Sequence, residues 1–136
     1  IGSNLGNRDT NLRTAIELIH ERVGECLACS SIYRSAPQGF VSENEFANIV
    51  AVYRTEHSPE KLLALTQQME REMGRTEKSV HGEYHDRMID IDILLYDDLH
   101  IQTPELIIPH PLMWERDFVM IPLREIAPNK IQRCLK

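Results

Sequence analysis

The run RMIDIDILLY, residues 87–96, holds the clearest chemistry-bearing pair in the chain, Asp90 and Asp92. In an extended segment, residues i and i+2 point to the same face, with Cα atoms roughly 6.5–7 Å apart. The two aspartates would then share a face with Met88, Leu94 and Tyr96, and Ile89, Ile91, Ile93 and Leu95 would line the other. Like charges side by side on a half-apolar face repel each other, unless a cation sits between them. Magnesium suits such a place, since it takes one or two carboxylates and fills its shell with water and phosphate oxygens. Two such ions, about 3.5–4 Å apart, can be bridged by neighbouring carboxylates and clamp a phosphate chain. A solvated strand face is the plain alternative for any D-x-D, but the apolar neighbours count against it here.

Arginines supply the second element. Arg87 stands three residues before Asp90, Arg75 follows a predicted helix, and Arg116 lies six residues beyond His110. A guanidinium fork takes a phosphate bidentately, and Arg87 is the best placed to do so beside a metal-bound carboxylate. His110 lies between Pro109 and Pro111, in a stiff extended segment. Singly, each arginine reads as a surface residue and the histidine as structural; grouping gives them weight. Other patterns fail. GSNLGNR near the start lacks the G-K-[ST] ending of a P-loop, and HGEYH at 81–85 is not H-E-x-x-H. Cys26 and Cys29 form a C-x-x-C with no second pair behind it, so they read as ordinary reduced cysteines of a cytoplasmic protein.

The elements that must position these residues follow from the spacing of apolar positions. Leu12, Ile16, Ile19 and Val23 predict a helix over 9–24, with Asp9 or Thr10 as N-cap and Gly24 as the stop. Residues 27–34 and 46–54 are β-branched and aromatic-rich and read as strands, with a loop between them. Ser58 and Pro59 open a second helix that Gly74 closes, with Leu62, Leu65, Met69 and Met73 on its inward stripe. Residues 76–86 read as a mobile loop, 88–96 as a strand, and 113–126 as containing a short helix. If residues 1–2 end a first strand, the order is β-α-β-β-α-β. That is an α+β fold, the ferredoxin-like split βαβ with an antiparallel sheet and both helices on one face, plus a C-terminal extension.

The 136 residues suit one domain, 1–136, and the net charge of −6 argues against a general nucleic-acid or anionic-membrane binder. No apolar run approaches the roughly 18–20 residues of a membrane span, and no signal peptide is visible. An RNA-binding or metabolite-sensing module of the same fold class is the alternative from a different functional class. The first wants a basic sheet with exposed aromatics, whereas aromatics make up 6% here, and the second has no need of D-x-D with flanking arginines. Another Mg²⁺-dependent phosphate-transfer enzyme using the same clamp is the nearer alternative.

Several segments together resemble one enzyme family: IGSNLGNR at 1–8, YRSAPQGF at 33–40, FANIVAV at 46–52, DRMIDIDILLYDD at 86–98 and PHPLMWERDFVMIPLREIAP at 109–128. They resemble 6-hydroxymethyl-7,8-dihydropterin pyrophosphokinase of folate biosynthesis, collinearly over nearly the whole chain. The resemblance implies transfer of a diphosphate from ATP to the pterin's hydroxymethyl oxygen, with release of AMP, by a monomer acting on small molecules. It implies that Asp90 and Asp92 hold two Mg²⁺ ions brought with ATP, with Arg75 and Arg87 completing the catalytic set. Gln67, Glu70, Arg75, Tyr84, Arg87, Ile93, His110 and Arg116 match nucleotide-site positions. Gly2, Ser35, Ala36, Gln38, Phe46, Asn48, Asp90 and Phe118 match the pterin site, with Asn48 on the ring edge and the two phenylalanines on its flat faces. The chain departs from the usual pattern at S-A-P-Q-G, at Phe46 where tyrosine is common, and at Pro111. The 76–86 loop is also longer, and there Lys78 offers a point charge in place of an arginine fork. The loops 36–46 and 76–87 are expected to move on ligand binding, as lids that exclude water do.

Overall fold

A computed structural model describes residues 1–35, 45–74 and 88–127. Among the described residues there are three α-helices and small antiparallel sheets, an α+β structure. In chain order these are β1 (Gly2–Ser3), α1 (Arg8–Arg22), β2 (Gly24–Cys29), β3 (Tyr33–Ser35), β4 (Phe46–Asn48), β5 (Ala51–Thr55) and α2 (Pro59–Gly74). Then come β6 (Ile101–Gln102), β7 (Ile107–Ile108), a 3-10 turn (Met113–Glu115) and α3 (Asp117–Ile126). Of the expected mobile loops 36–46 and 76–87, residues 36–44 and 76–87 lie outside the described residues, as does Arg75. Ala36, Gln38, Lys78, Tyr84 and Arg87 lie outside with them, whereas the end of the first loop, Phe46, already belongs to β4.

Helix α1 starts where an Asx cap can form, and Asn7 supplies it. Asn7 is extended (φ −81°, ψ 93°) and its side chain accepts the Thr10 N–H at 3.1 Å. The cap thus falls two residues before the first of the expected positions. At the other end Gly24 does not terminate the helix but begins β2. A Cβ there would lie 1.7 Å from the Arg54 carbonyl oxygen across the β2–β5 pair, so only glycine lets the strands close. Helix α2 follows its sequence signals closely: Ser58 Oγ accepts the Lys61 N–H at 3.2 Å, and Pro59 is the first helical residue.

The two expected strands form one long hairpin with a break in each arm. β2 pairs with β5 (Gly24 opposite Thr55) and β3 with β4 (Tyr33 opposite Asn48, Ser35 opposite Phe46). Ser30 causes the interruption. Its Oγ accepts the Val50 N–H at 2.9 Å and donates to the Ser31 carbonyl, so a side chain takes a place that a ladder carbonyl would fill. Ser31 is in turn held by Glu125 of α3, through its N–H at 2.7 Å and its hydroxyl at 2.8 Å.

Ile49 and Val50 then point to opposite sides, and each side has its own core. On one side Leu12, Ala15 and Ile19 of α1 and Met69 of α2 pack with Ala47, Ile49, Ile89 and Ile91. On the other, Val50 packs with Met113, Val119, Met120 and Leu123 around α3. Leu12, Ala15 and Met69 are wholly buried, so α1 and α2 are fixed by the apolar stripes their sequences show.

The segment 88–96 differs from expectation. Ile89 and Ile91 do face the helix-side core, but a single antiparallel bridge, Gly2 to Asp90, joins the segment to the sheet. β1 holds Gly2 and Ser3 alone, so it reaches no further along the segment. Beyond Asp90 the segment forms no ladder, and Leu94 gives its carbonyl to the His110 N–H at 2.9 Å.

Candidate active site

β1 is the spine of the site. Gly2 exchanges two backbone hydrogen bonds with Asp90, both 2.8 Å, and lies opposite Asn48 on its other edge. A Cβ on Gly2 would meet Asn48 Oδ1 at 2.6 Å, so glycine is what lets the buried amide of Asn48 lie close over the strand. One short strand thereby fixes the backbone of an acidic residue on one side and of a hydrogen-bonding amide on the other.

A cavity of about 590 Å³ opens beside this spine. Its lining includes Gly2, Ser35, Phe46, Asn48, Asp90, Asp92, Arg116 and Phe118. These join aromatic faces to an amide, a guanidinium and two carboxylates. Apart from Thr66, Tyr53 and Asp97 the other lining residues are apolar, so these polar groups carry the chemistry. The Arg116 guanidinium lies 5.4 Å above the Phe118 ring, a cation–π distance that holds both side chains against the same wall.

A second cavity, of about 260 Å³, shares Ile91, Asp92 and Ile93 with the first and is otherwise walled by Leu63, His110, Pro111 and residues 104–107. Asp92 stands in the wall of both cavities. The His110 ring is oriented by its own turn: Nδ1 accepts the Leu112 N–H at 3.2 Å, which puts the proton of the neutral ring on Nε2. That leaves an N–H donor on a residue lining the second cavity.

Glu70 comes up from α2 beneath the aspartates. Its Oε2 accepts the Ile91 N–H at 2.8 Å, and the carboxyl also hydrogen-bonds the Asp90 side chain. Burial pushes the Glu70 carboxyl up to about 8; the Ile91 N–H opposes the rise, and the Asp90 charge adds to it. Asp92 is open to solvent along the cleft, yet protein atoms crowd it from most sides. That crowding, and then the Asp90 charge, raise its pKa, with His110 and Arg116 partly offsetting them. Two carboxyls raised above the usual range, Glu70 and Asp92, mark a place where a cation would relieve the repulsion.

Among the described residues, no group of three or more His, Cys, Asp or Glu side chains is arranged to surround an ion. The donor set is two carboxylates on one extended segment. That set fits an ion that brings phosphate oxygens for its remaining positions, and fits poorly a metal caged by protein alone.

The expected site residues therefore fall into three groups. Gly2, Ser35, Phe46, Asn48, Asp90, Asp92, Ile93, Arg116 and Phe118 meet at the larger cavity, and Asp92, Ile93 and His110 at the smaller. Glu70 touches the aspartate segment from behind, and Gln67, exposed on α2, lines neither cavity. Ala36, Gln38, Arg75, Tyr84 and Arg87 lie outside the described residues. Sequence reasoning missed Leu63, Leu106 and Ile107, which wall the smaller cavity. Nothing in apolar periodicity distinguishes them from core residues, so no signal was there to read.

The geometry agrees with what the chain is similar to. The profile of the 7,8-dihydro-6-hydroxymethylpterin-pyrophosphokinase (HPPK) family matches residues 1–128. A Porphyromonas gingivalis protein named 2-amino-4-hydroxy-6-hydroxymethyldihydropteridine pyrophosphokinase is 50% identical over 94% of this chain and 88% of its own length. A Bacillus subtilis protein of the same name is 43% identical over 93% of this chain and 75% of its own. A mitochondrial folate synthesis bifunctional protein of Arabidopsis thaliana is 38% identical over 96% of this chain, which spans 23% of that longer protein. The chain belongs to the 7,8-dihydro-6-hydroxymethylpterin-pyrophosphokinase family.

Proposed function

We propose that this chain transfers the diphosphate of ATP to the hydroxymethyl oxygen of 6-hydroxymethyl-7,8-dihydropterin, in folate biosynthesis. The observation that carries the reading, beside family membership, is that Asp92 stands in the wall shared by two cavities of different character. One is lined by aromatic rings and an amide suited to a flat heterocycle, and the other by apolar side chains beside a histidine donor, suited to a nucleotide base and its phosphates. The hydroxymethyl oxygen attacks the β-phosphorus and its proton passes to solvent water. The bond from that phosphorus to the α,β-bridging oxygen breaks, and AMP leaves with that oxygen. Such transfers ask the protein for in-line positioning and charge neutralisation, and for little covalent work.

Asp90 and Asp92 are the residues to hold two Mg²⁺ ions, which when bound would neutralise phosphate charge and lower the pKa of the attacking hydroxyl. Phe46 and Phe118 stack on the pterin, Asn48 reads its edge, and backbone groups of Gly2, Ser35, Ala36 and Gln38 complete that pocket. His110 donates through Nε2 to phosphate, Arg116 adds a fork beside Asp92, and Ile93 packs on the base. Arg75, Arg87, Gln67, Glu70 and Tyr84 keep the nucleotide-site roles that the family resemblance gives them. A ferredoxin-like fold is part of the reading. It is supported by β1 lying between Asp90 on one edge and β4 on the other, and by α1 and α2 sharing one core. A monomer as the working unit is part of the same reading, and free Cys26 and Cys29 suit a reducing cytoplasm.

The test is to incubate the protein with ATP, Mg²⁺ and 6-hydroxymethyl-7,8-dihydropterin and identify the nucleotide formed. AMP, with none formed when the pterin is left out, is the expected product. ADP would instead mark another Mg²⁺-dependent phosphate-transfer enzyme, and a folded protein that forms neither would sink the enzyme reading.

A further inference from the structure

Glu70 sits behind the aspartate segment. It projects from α2, one turn before the helix ends at Gly74, and its carboxyl reaches the only stretch of backbone between the two aspartates. Oε2 accepts the Ile91 N–H at 2.8 Å, and the same carboxyl hydrogen-bonds the Asp90 side chain. Ile91 itself is buried in the helix-side core, with Met69 of α2 in the same cluster. The amide of residue 91 points away from the sheet, toward the helix, where a ladder partner cannot reach it. The carbonyl of the same peptide, Asp90 O, accepts the Gly2 N–H at 2.8 Å, so Glu70 supplies the second hold, on the N–H edge. Without it a polar amide beside the core would be left unpaired on that edge.

We propose that Glu70 is a positioning residue: it pins the peptide between Asp90 and Asp92 and orients the first of them, so that both carboxylates present a fixed face to Mg²⁺–ATP. This deepens the pyrophosphokinase reading and rests on it. It makes the nucleotide-site role of Glu70 an indirect one, exerted through the aspartates, because the carboxyl is already engaged by backbone and by Asp90. Each member of the pair is then fixed by two anchors. Asp90 has the Gly2 bridge and Glu70, and Asp92 has the pinned peptide before it and the Leu94–His110 bond after it. Groups that orient metal-binding side chains without touching the metal typically govern affinity by about 10–100-fold.

A glutamine can accept the Ile91 N–H through its carbonyl and offer its NH₂ to Asp90, so it preserves the geometry without the carboxylate. An alanine preserves neither bond. The experiment compares wild type, Glu70→Gln and Glu70→Ala by calorimetry with α,β-methylene-ATP, with and without Mg²⁺, and by NMR hydrogen exchange of the Ile91 amide. Glu70→Gln is expected to bind the Mg²⁺–analogue nearly as wild type, with the Ile91 amide protected. Glu70→Ala is expected to lose about 10–100-fold in that affinity, with the amide exposed, and to match wild type for the analogue without Mg²⁺. If Glu70→Gln is as weak as Glu70→Ala, the carboxylate acts directly and the positioning role is wrong. It is equally wrong if Glu70→Ala binds like wild type. Should Glu70→Ala fail to fold, Glu70→Leu fills the volume, removes the acceptor and carries the same expectations. A wild-type chain that neither binds the Mg²⁺–analogue nor forms AMP overturns the pyrophosphokinase reading instead, and the contrast in Ile91 exchange still decides whether the peptide is pinned.

Discussion

Helix α2 and the segment 88–96 touch each other but keep their shapes by different means. α2 carries its own instructions: a serine cap, a proline at the first position, an apolar stripe and hydrogen bonds closed within the helix. The segment 88–96 borrows almost everything. Its backbone partners are Gly2 of β1, Glu70 of α2 and His110 of the loop after β7. The first kind of element tolerates change at its surface, because the structure is rewritten every turn. The second has one partner for each anchored group, and losing one moves a functional side chain.

That contrast can be broken or sharpened by substitution. The largest effect is expected from Asp92→Asn, which removes a negative charge from the wall shared by both cavities while keeping the side-chain shape. Turnover should fall about 10³-fold, the scale on which removing one preorganised transition-state contact acts, with pterin affinity largely kept. Steady-state assay and pterin titration check it, and an active variant refutes the metal-clamp assignment. Met69→Ala comes next and acts on the other element. Met69 is wholly buried between α2 and the sheet, so truncation should cost about 2–5 kcal/mol of stability. Denaturant melts measure that loss, and the folded fraction should keep its KM for both substrates.

Gly2→Ala tests the spine. The added methyl meets Asn48 Oδ1 at 2.6 Å, so either Asn48 rotates or β1 shifts. Pterin affinity should weaken about tenfold, the equivalent of roughly 1.4 kcal/mol, while ATP analogue binding changes less. An unchanged pterin titration would show that Asn48 is not read by the ligand. The smallest effect concerns Glu70 in the metal-free protein. Its folded carboxyl is raised from 4.5 to about 8, so between those values the folded state holds a proton that the unfolded state has lost. Stability is therefore full below about pH 4.5 and declines as pH rises toward 8. Glu70→Gln removes that titration, so its melts should vary less over the same window. A variant whose pH profile parallels wild type would contradict the buried-carboxyl assignment.

Legibility in the sequence follows the same division. The helices were readable because their signals are local: Ser58, Pro59 and Gly74 mark α2, and Leu12, Ile16, Ile19 and Val23 mark α1. The cap of α1 was misplaced by two residues, since Asn7, Asp9 and Thr10 are all competent cap types and only backbone angles choose among them. The strands 27–34 and 46–54 were readable as a pair but not as broken arms. The break depends on Ser30 meeting Val50, twenty residues away. The segment 88–96 was readable as extended and two-faced, but a strand needs a neighbour, and the described β1 offers one bridge.

For the site, the D-x-D spacing alone determined that two carboxylates would share a face, because a period of two is a property of any extended chain. It could not determine what surrounds them. Tertiary structure decided that Gly2 lies between Asp90 and Asn48, that Glu70 closes on the Ile91 amide, and that His110 and Arg116 temper the charge on Asp92. Each of these contacts joins residues many positions apart. Chain packing, and no local preference, brings them within reach of one another, and so turns a costly pair of acids into a place for a cation and its phosphates.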